Sequence, residues 1–229
     1  MKTLDKLQKA FPECYRKGNV LLINADCMDV MKLLDDKEFC LACVDPPYGI
    51  DWNKQTKKVN TKANWIQHDF KDWDSVAPEP KYFDELKRVS KSQVIWGANH
   101  FIDSMPFSCN SPCWIIWDKM QEFTGATFEM AWTNFTSPAK AFRMARCEAY
   151  VGKQKIHPTQ KPVKLYEWLL TNYAKKGQRI LDTHLGSGSS AIAAHYFGVD
   201  FVGCELDKDY FEAAKARFDM ATKQLAMSI

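Results

Sequence analysis

No apolar run in this chain approaches the roughly 20 residues needed to cross a bilayer as a helix. The opening residues, Met1-Lys2-Thr3-Leu4-Asp5-Lys6, lack the apolar segment of a secretory leader. These two absences lead to the expectation of a soluble, cytoplasmic protein with no membrane partner. An excess of one charge is also lacking: 31 Lys and Arg against 28 Asp and Glu leave a formal net charge of +3, with a pI of about 8.3. That is below the pI of about 9 that flags a nucleic-acid binder on bulk charge, so any electrostatic footprint has to be local. Internal repeats and low-complexity tracts are missing too, which excludes repeat arrays and biased linkers.

Cysteine is plentiful, with eight residues, but the paired CxxC units of a zinc site are not there. Cys40 and Cys43 form a lone CxxC, and Cys109 and Cys113 a CxxxC. Residues three apart on an extended strand face opposite ways. The expectation is reduced, buried cysteines and no metal.

The 229 residues suffice for one domain with a full core, taken here as 1–229. Short apolar runs at 18–24, 39–44, 92–97, 112–117, 179–182 and 200–205 read as buried strands. Residues 128–133 alternate and read as one antiparallel strand. Helical spacing or caps mark 26–34, 80–90, a stretch entered at Pro162, 190–197 and 208–224. Strands alternating with helices predict an α/β fold: a mostly parallel, twisted, doubly wound sheet with helices on both faces. Residues 51–75 are polar, Lys-rich and without periodicity, which predicts a long mobile loop of functional use.

Three local patterns carry chemistry. The first is Asp45-Pro46-Pro47-Tyr48, directly after the strand 39–44. Proline cannot donate to a sheet ladder, so the strand ends there. Asp45 then sits at the carboxyl edge of the sheet, where open α/β folds bind ligands. A strand-terminal acid, two carbonyls on stiff backbone and an aromatic ring can hold a planar ring bearing an exocyclic amino group. The second is Asp182-Thr183-His184-Leu185-Gly186-Ser187-Gly188-Ser189-Ser190-Ala191, between a strand and a helix. Gly186, Gly188 and Ala191 match G-x-G-x-x-G/A, and Glu205 ends the next strand about 20 residues on. By itself this would equally fit a dinucleotide-dependent oxidoreductase. The third is His157-Pro158-Thr159-Gln160-Lys161-Pro162, just before a helix.

Together the three patterns, in this order along about residues 18–222, resemble the beta group of DNA adenine methyltransferases, part of the N6/N4 amino-methyltransferase family. Their glycine-rich segment usually reads like D-P-F-x-G-S-G-T-T. Here Thr183 and His184 replace Pro-Phe, and Ser189-Ser190 replaces Thr-Thr. The resemblance implies a Rossmann-like S-adenosylmethionine-dependent fold with a circularly permuted motif order. It implies methyl transfer to the N6 amino group of a flipped-out adenine in double-stranded DNA, with restriction-modification as the setting and a bacterium or phage as the source. Asp45, Pro46, Pro47 and Tyr48 would be catalytic. Asp26 would bond the cofactor adenine, Glu205 its ribose, and Gly186 and Gly188 would line its methionine part. Thr159 and Lys161 would hold its carboxylate, with Cys27, His157, Asp182, Ser189 and Ser190 completing the site. A first acidic residue in the catalytic motif favours adenine; Ser is commoner there in cytosine enzymes. Dimers are frequent in the group, so a homodimer is one assembly to test.

Basic residues interleaved with aromatics mark two segments for DNA contact. Lys54, Lys57, Lys58 and Lys62 lie in the 51–75 loop with Trp52 and Trp65. Lys140, Arg143 and Arg146 lie in 136–156 with Phe142 and Tyr150. Rival readings stay open here: methylation of cytosine N4 in DNA or of adenine in RNA, a catalytically idle nucleic-acid-binding module, or an oxidoreductase.

Overall fold

The computed structural model describes residues 2–50, 74–121, 126–145, 156–157 and 159–223. Nine strands form one sheet: β1 (Cys14–Lys17), β2 (Val20–Asn24), β3 (Phe39–Val44), β4 (Ser90–Trp96), β5 (Ile115–Asp118), β6 (Phe128–Thr133), β7 (Lys140–Arg143), β8 (Arg179–Asp182) and β9 (Asp200–Glu205). Their order is β1-β2-β9-β8-β3-β4-β6-β5-β7. Among the described residues the helices of six or more residues are α1 (Thr3–Ala10), α2 (Cys27–Lys32), α3 (Pro80–Val89), α4 (Val163–Tyr173), α5 (Ser189–Phe197) and α6 (Lys208–Lys223).

The central strands β2, β9, β8, β3 and β4 are parallel. Their continuous apolar runs follow from burial on both faces. Alternate residues serve opposite layers. Leu22, Leu41 and Cys43 pack with Leu165, Leu169, Ile192 and Phe218 from α4, α5 and α6. Leu21, Ile23, Ala42 and Val44 pack with Leu7, Met31 and Phe83 from α1, α2 and α3. Each buried Leu, Ile, Val, Met or Phe among them contributes about 1.5–3 kcal/mol of transfer free energy.

Three elements depart from the expected pattern. β1 and β6 both run against the central strands, so the sheet has two antiparallel members among the described strands rather than one. β1 is a half-buried four-residue edge strand, Cys-Tyr-Arg-Lys, with no apolar run to betray it. α1 was also not anticipated. Residues 140–143, within the 136–156 segment marked for DNA contact and not expected as a strand, form β7 at the sheet edge, parallel to β5. Polar edge strands carry little periodic signal.

β3 and β8 are neighbours. From β3 the chain crosses through α3 to β4 on one side; from β8 it crosses through α5 to β9 on the other. That divergence is a topological switch point, and it opens a crevice at the carboxyl ends of the two strands. Asp45 leaves β3 there and the glycine-rich turn leaves β8.

Candidate active site and cofactor cavity

The turn after β8 is tied at both ends by one carboxylate. Asp182 accepts from the His184 N–H at 3.0 Å and the Ser190 hydroxyl at 2.6 Å. Burial nevertheless pushes its pKa up to about 7, and pushes that of His184 down to about 4, which leaves the imidazole neutral. Gly186 and Gly188 take positive φ, 51° and 72°, which a side chain resists. The Gly186 N–H donates to Glu205 at 2.8 Å, and the Asp207 N–H to the other Glu205 oxygen at 3.0 Å. Arg217 of α6 reaches the Ser187 carbonyl at 2.6 Å and the Ser189 hydroxyl at 2.9 Å. Asp26 caps α2 by accepting from the Met28 N–H at 2.8 Å.

These elements surround a cavity of about 640 Å³, within the range usual for cofactor sites. Of the residues singled out for cofactor binding, Asp26, Cys27, His157, Thr159, Lys161, Gly186, Ser189 and Glu205 line it. Asp182, Gly188 and Ser190 do not; they shape the turn. Leu185, His184, Tyr166 and Tyr210 line it as well, although no role there was expected of them. Tyr210 meets the His157 ring edge-on, centroids 4.5 Å apart. The fit to a nucleoside–amino-acid cofactor lies in two glycines that leave the turn bare and in two acids, Asp26 and Glu205, at the strand ends.

A second cavity of about 470 Å³ lies on the other side of Asp45, walled by Tyr48, Gly97, His100, Phe128 and Glu129. Among the described residues, Asp45 and Thr159 line both. Tyr48 is held on several sides. Its hydroxyl donates to Asp45 at 2.8 Å. Its backbone N–H donates to the buried Asp74 at 2.6 Å, as does that of Gly49 at 3.2 Å. Its ring stacks on His100 with centroids 5.1 Å apart. Asp74 falls at the end of the expected 51–75 loop yet is a fixed, buried part of the site.

Lys161 departs most from expectation. A lysine presented to an acidic cofactor group was expected. The structure has a fully buried ammonium 2.5 Å from Asp45, 3.1 Å from Glu129 and 3.2 Å from the Tyr48 hydroxyl. Glu129 in turn meets Lys119 at 2.8 Å. Neither Glu129 nor Lys119 had been marked, because one charged residue in a short strand reads as its solvated face. Burial opposes the charge of Glu129, but two ammonium groups outweigh it and hold its pKa near 2. Burial raises the pKa of Asp45, against the pull of Lys161.

The expected DNA contacts are mostly out of view: Lys54, Lys57, Lys58, Lys62 and Arg146 lie outside the described residues. Lys140 bonds Asn172 at 2.9 Å, and the exposed Arg143 meets Asp118 at 3.4 Å. Among the described residues no helix is long and apolar enough to cross a membrane, and no cluster of His, Cys, Asp and Glu could hold a metal ion.

A mostly parallel, doubly wound sheet with a glycine-turn cavity at its switch point, beside a strand-terminal Asp-Pro-Pro-Tyr, is the arrangement expected of a methyltransferase that uses S-adenosylmethionine. The model of the N6/N4 DNA methylase family matches residues 52–216, and the chain belongs to that family. Among curated proteins it is 23% identical over 251 residues to the type II methyltransferases M2.LlaDCHI of Lactococcus lactis subsp. cremoris and M2.DpnII of Streptococcus pneumoniae. Each alignment covers 90% of this chain and 91% of the relative. Among solved structures, the cytosine-N4-specific PvuII DNA methyltransferase superposes with a TM-score of 0.59 at 12% identity, covering 91% of this chain and 92% of that one. The M1.HpyAVI complex with S-adenosylmethionine gives 0.56 at 17% identity, covering 87% and 99%. At such identities the superpositions show the shared fold.

Proposed function

We propose that this DNA methyltransferase acts on the N6 amino group of adenine, and that Asp45, Pro46, Pro47 and Tyr48 carry the reaction. The observation that supports this most is the meeting of two cavities at Asp45. The cofactor supplies an electrophilic methyl group. Everything else asked of the protein is positioning. An amino group in a duplex is paired and stacked, so the base is flipped out at a cost of roughly a few kcal/mol. Stacking on Tyr48 returns roughly 1–3 kcal/mol. The amino nitrogen is a poor nucleophile because its lone pair is delocalised into the ring. Asp45 and the Pro46 carbonyl accept its two N–H bonds and favour a pyramidal nitrogen with its lone pair turned toward the first cavity. Bringing reacting atoms to about 3–3.5 Å supplies much of the acceleration. An Asp at the first motif position favours adenine over cytosine. Lys140 and Arg143, with the basic residues of 51–73 and 146–155, would track the DNA phosphates.

The test is transfer of labelled methyl to mixed-sequence duplex DNA, digestion to nucleosides and mass spectrometry, beside Asp45→Ala. N6-methyladenine formed by the parent alone is the expected result. N4-methylcytosine would move the assignment to the other amino group. No methylated nucleoside despite cofactor binding would move it to RNA or to an idle binding module.

A further inference from the structure

Lys161 has three N–H donors, and the structure uses all of them: one toward Asp45, one toward Glu129 and one toward the Tyr48 hydroxyl. No donor remains for a ligand. Its side chain is only 2% exposed, and its ammonium also stands 5.3 Å from the Trp96 ring centroid and 5.7 Å from that of Tyr48. With Lys119 on the far side of Glu129, four alternating charges run Asp45, Lys161, Glu129, Lys119, at contacts of 2.5, 3.1 and 2.8 Å. The row balances to zero net charge. It draws on four separate parts of the chain: the end of β3, the segment entering α4, β6 and the end of β5. A buried carboxylate without such a partner tends to take up a proton. A protonated Asp45 would turn a hydrogen toward an amino group that itself donates.

We propose that Lys161 and Glu129 are positioning residues of the reaction: Lys161 keeps Asp45 an acceptor-only carboxylate with one edge open to the amino group, and Glu129, anchored by Lys119, holds Lys161 in place. This rests on the reading of Asp45 as the group that accepts from the amino nitrogen. Asp45 has two oxygens and about four acceptor sites. Tyr48 and Lys161 take one each, which leaves Asp45 free to accept the amino hydrogen that the Pro46 carbonyl does not. Among the described residues, Tyr48 beside Asp45, Tyr166 from α4 and Asp182 from β8 face this row, and His100 stacks behind Tyr48. Removing the ammonium takes away the cation that, among the described residues, is paired with Asp45. Removing the Glu129 charge takes away an anion that acts against it.

The experiment is single-turnover methyl transfer against pH, with cofactor affinity from calorimetry and Tm for each variant. Lys161→Met is expected to lower the maximal rate about ten- to a hundredfold and to move the acid limb to higher pH, with cofactor affinity close to the parent's. Glu129→Gln is expected to lower the rate less and to move the limb the other way. Lys161→Arg keeps the charge and should return the limb toward the parent's position. Limbs moving in opposite directions cannot come from general loosening of the fold. If Lys161→Met instead weakens cofactor binding and leaves the limb in place, Lys161 is a cofactor ligand and the proposal falls. If both variants lose rate with unmoved limbs, the row is merely structural and the proposal also falls. If the parent protein methylates no amino group, the assignment of Asp45 fails first, and the parent arm alone reveals it.

Discussion

The two cavities that meet at Asp45 are built by different means. The side assigned to the cofactor is shaped largely by backbone: a turn with two left-handed glycines, a helix N-terminus and carboxylates that accept main-chain N–H groups. The side assigned to the base is made of side chains: an aromatic stack, a tyrosine hydroxyl and a row of buried charges. Backbone geometry suits a cofactor that never changes. Side-chain geometry suits a target that must be admitted, read and released, and its electrostatics are sensitive to every member of the row. The difference predicts that lesions on the two sides fail differently: affinity on one, rate on the other.

Asp45→Ala should show the largest effect, a fall of about 10²–10⁴-fold in the rate of transfer, with cofactor affinity by calorimetry nearly unchanged. A parallel loss of affinity would break the separation of the sides. Gly97→Ala comes next. Gly97 has φ +71°, and a Cβ there would lie 2.0 Å from the Tyr48 ring. Displacing that ring should cost the stacking of the base, about 1–3 kcal/mol, read as a slower rate and weaker 2-aminopurine stacking in a labelled duplex. Gly188→Ala tests the other side. At φ +72°, with its Cβ 3.3 Å from Ala214, it should weaken cofactor binding by about tenfold through a strain of about 1–2 kcal/mol and leave DNA binding alone.

A smaller effect concerns stability against pH. The folded pKa of Asp182, about 7, lies above its ordinary 3.8, so its contribution is complete below pH 3.8 and is lost as pH rises toward 7. His184 is shifted the opposite way, from 6.5 to about 4, so its contribution grows as pH rises from 4 to 6.5. The two oppose each other across that window. Asp182→Asn should therefore make Tm climb more steeply from pH 4 to 6.5 than in the parent. Lys140→Ala should do least: within about 0.5 kcal/mol in stability, but with the salt slope of DNA binding reduced by about 1 if Lys140 meets a phosphate.

The contrast between the sides also explains what could be read from residues alone. Gly186 and Gly188 share one turn, Glu205 ends the next strand 19 residues after Gly186, and Asp26 opens a helix right after a strand; each is set by local geometry, and such geometry leaves a pattern. Asp45 and Tyr48 were legible because prolines end a strand beside them. Glu129 and Lys119 were not. Glu129 reaches Lys161, and Lys119 reaches Glu129, because β6 lies antiparallel between β4 and β5, and nothing local to Phe-Glu-Met-Ala-Trp-Thr says which face looks inward. Lys161 was marked, but its partners come from 116 and 32 residues away along the chain. β1 and β7 escaped for the simpler reason that four-residue polar edge strands have no periodicity to show.

The most direct test of two cavities sharing Asp45 is a crystal structure with a non-reactive cofactor analogue and a duplex carrying an extruded adenine. The account predicts the analogue against the 182–190 turn, the base beside Tyr48 and His100, and the exocyclic nitrogen within hydrogen-bond distance of Asp45 while Lys161 stays bound to Asp45 and Glu129. A base lodged elsewhere, or Lys161 swung onto the analogue's carboxylate, would contradict it.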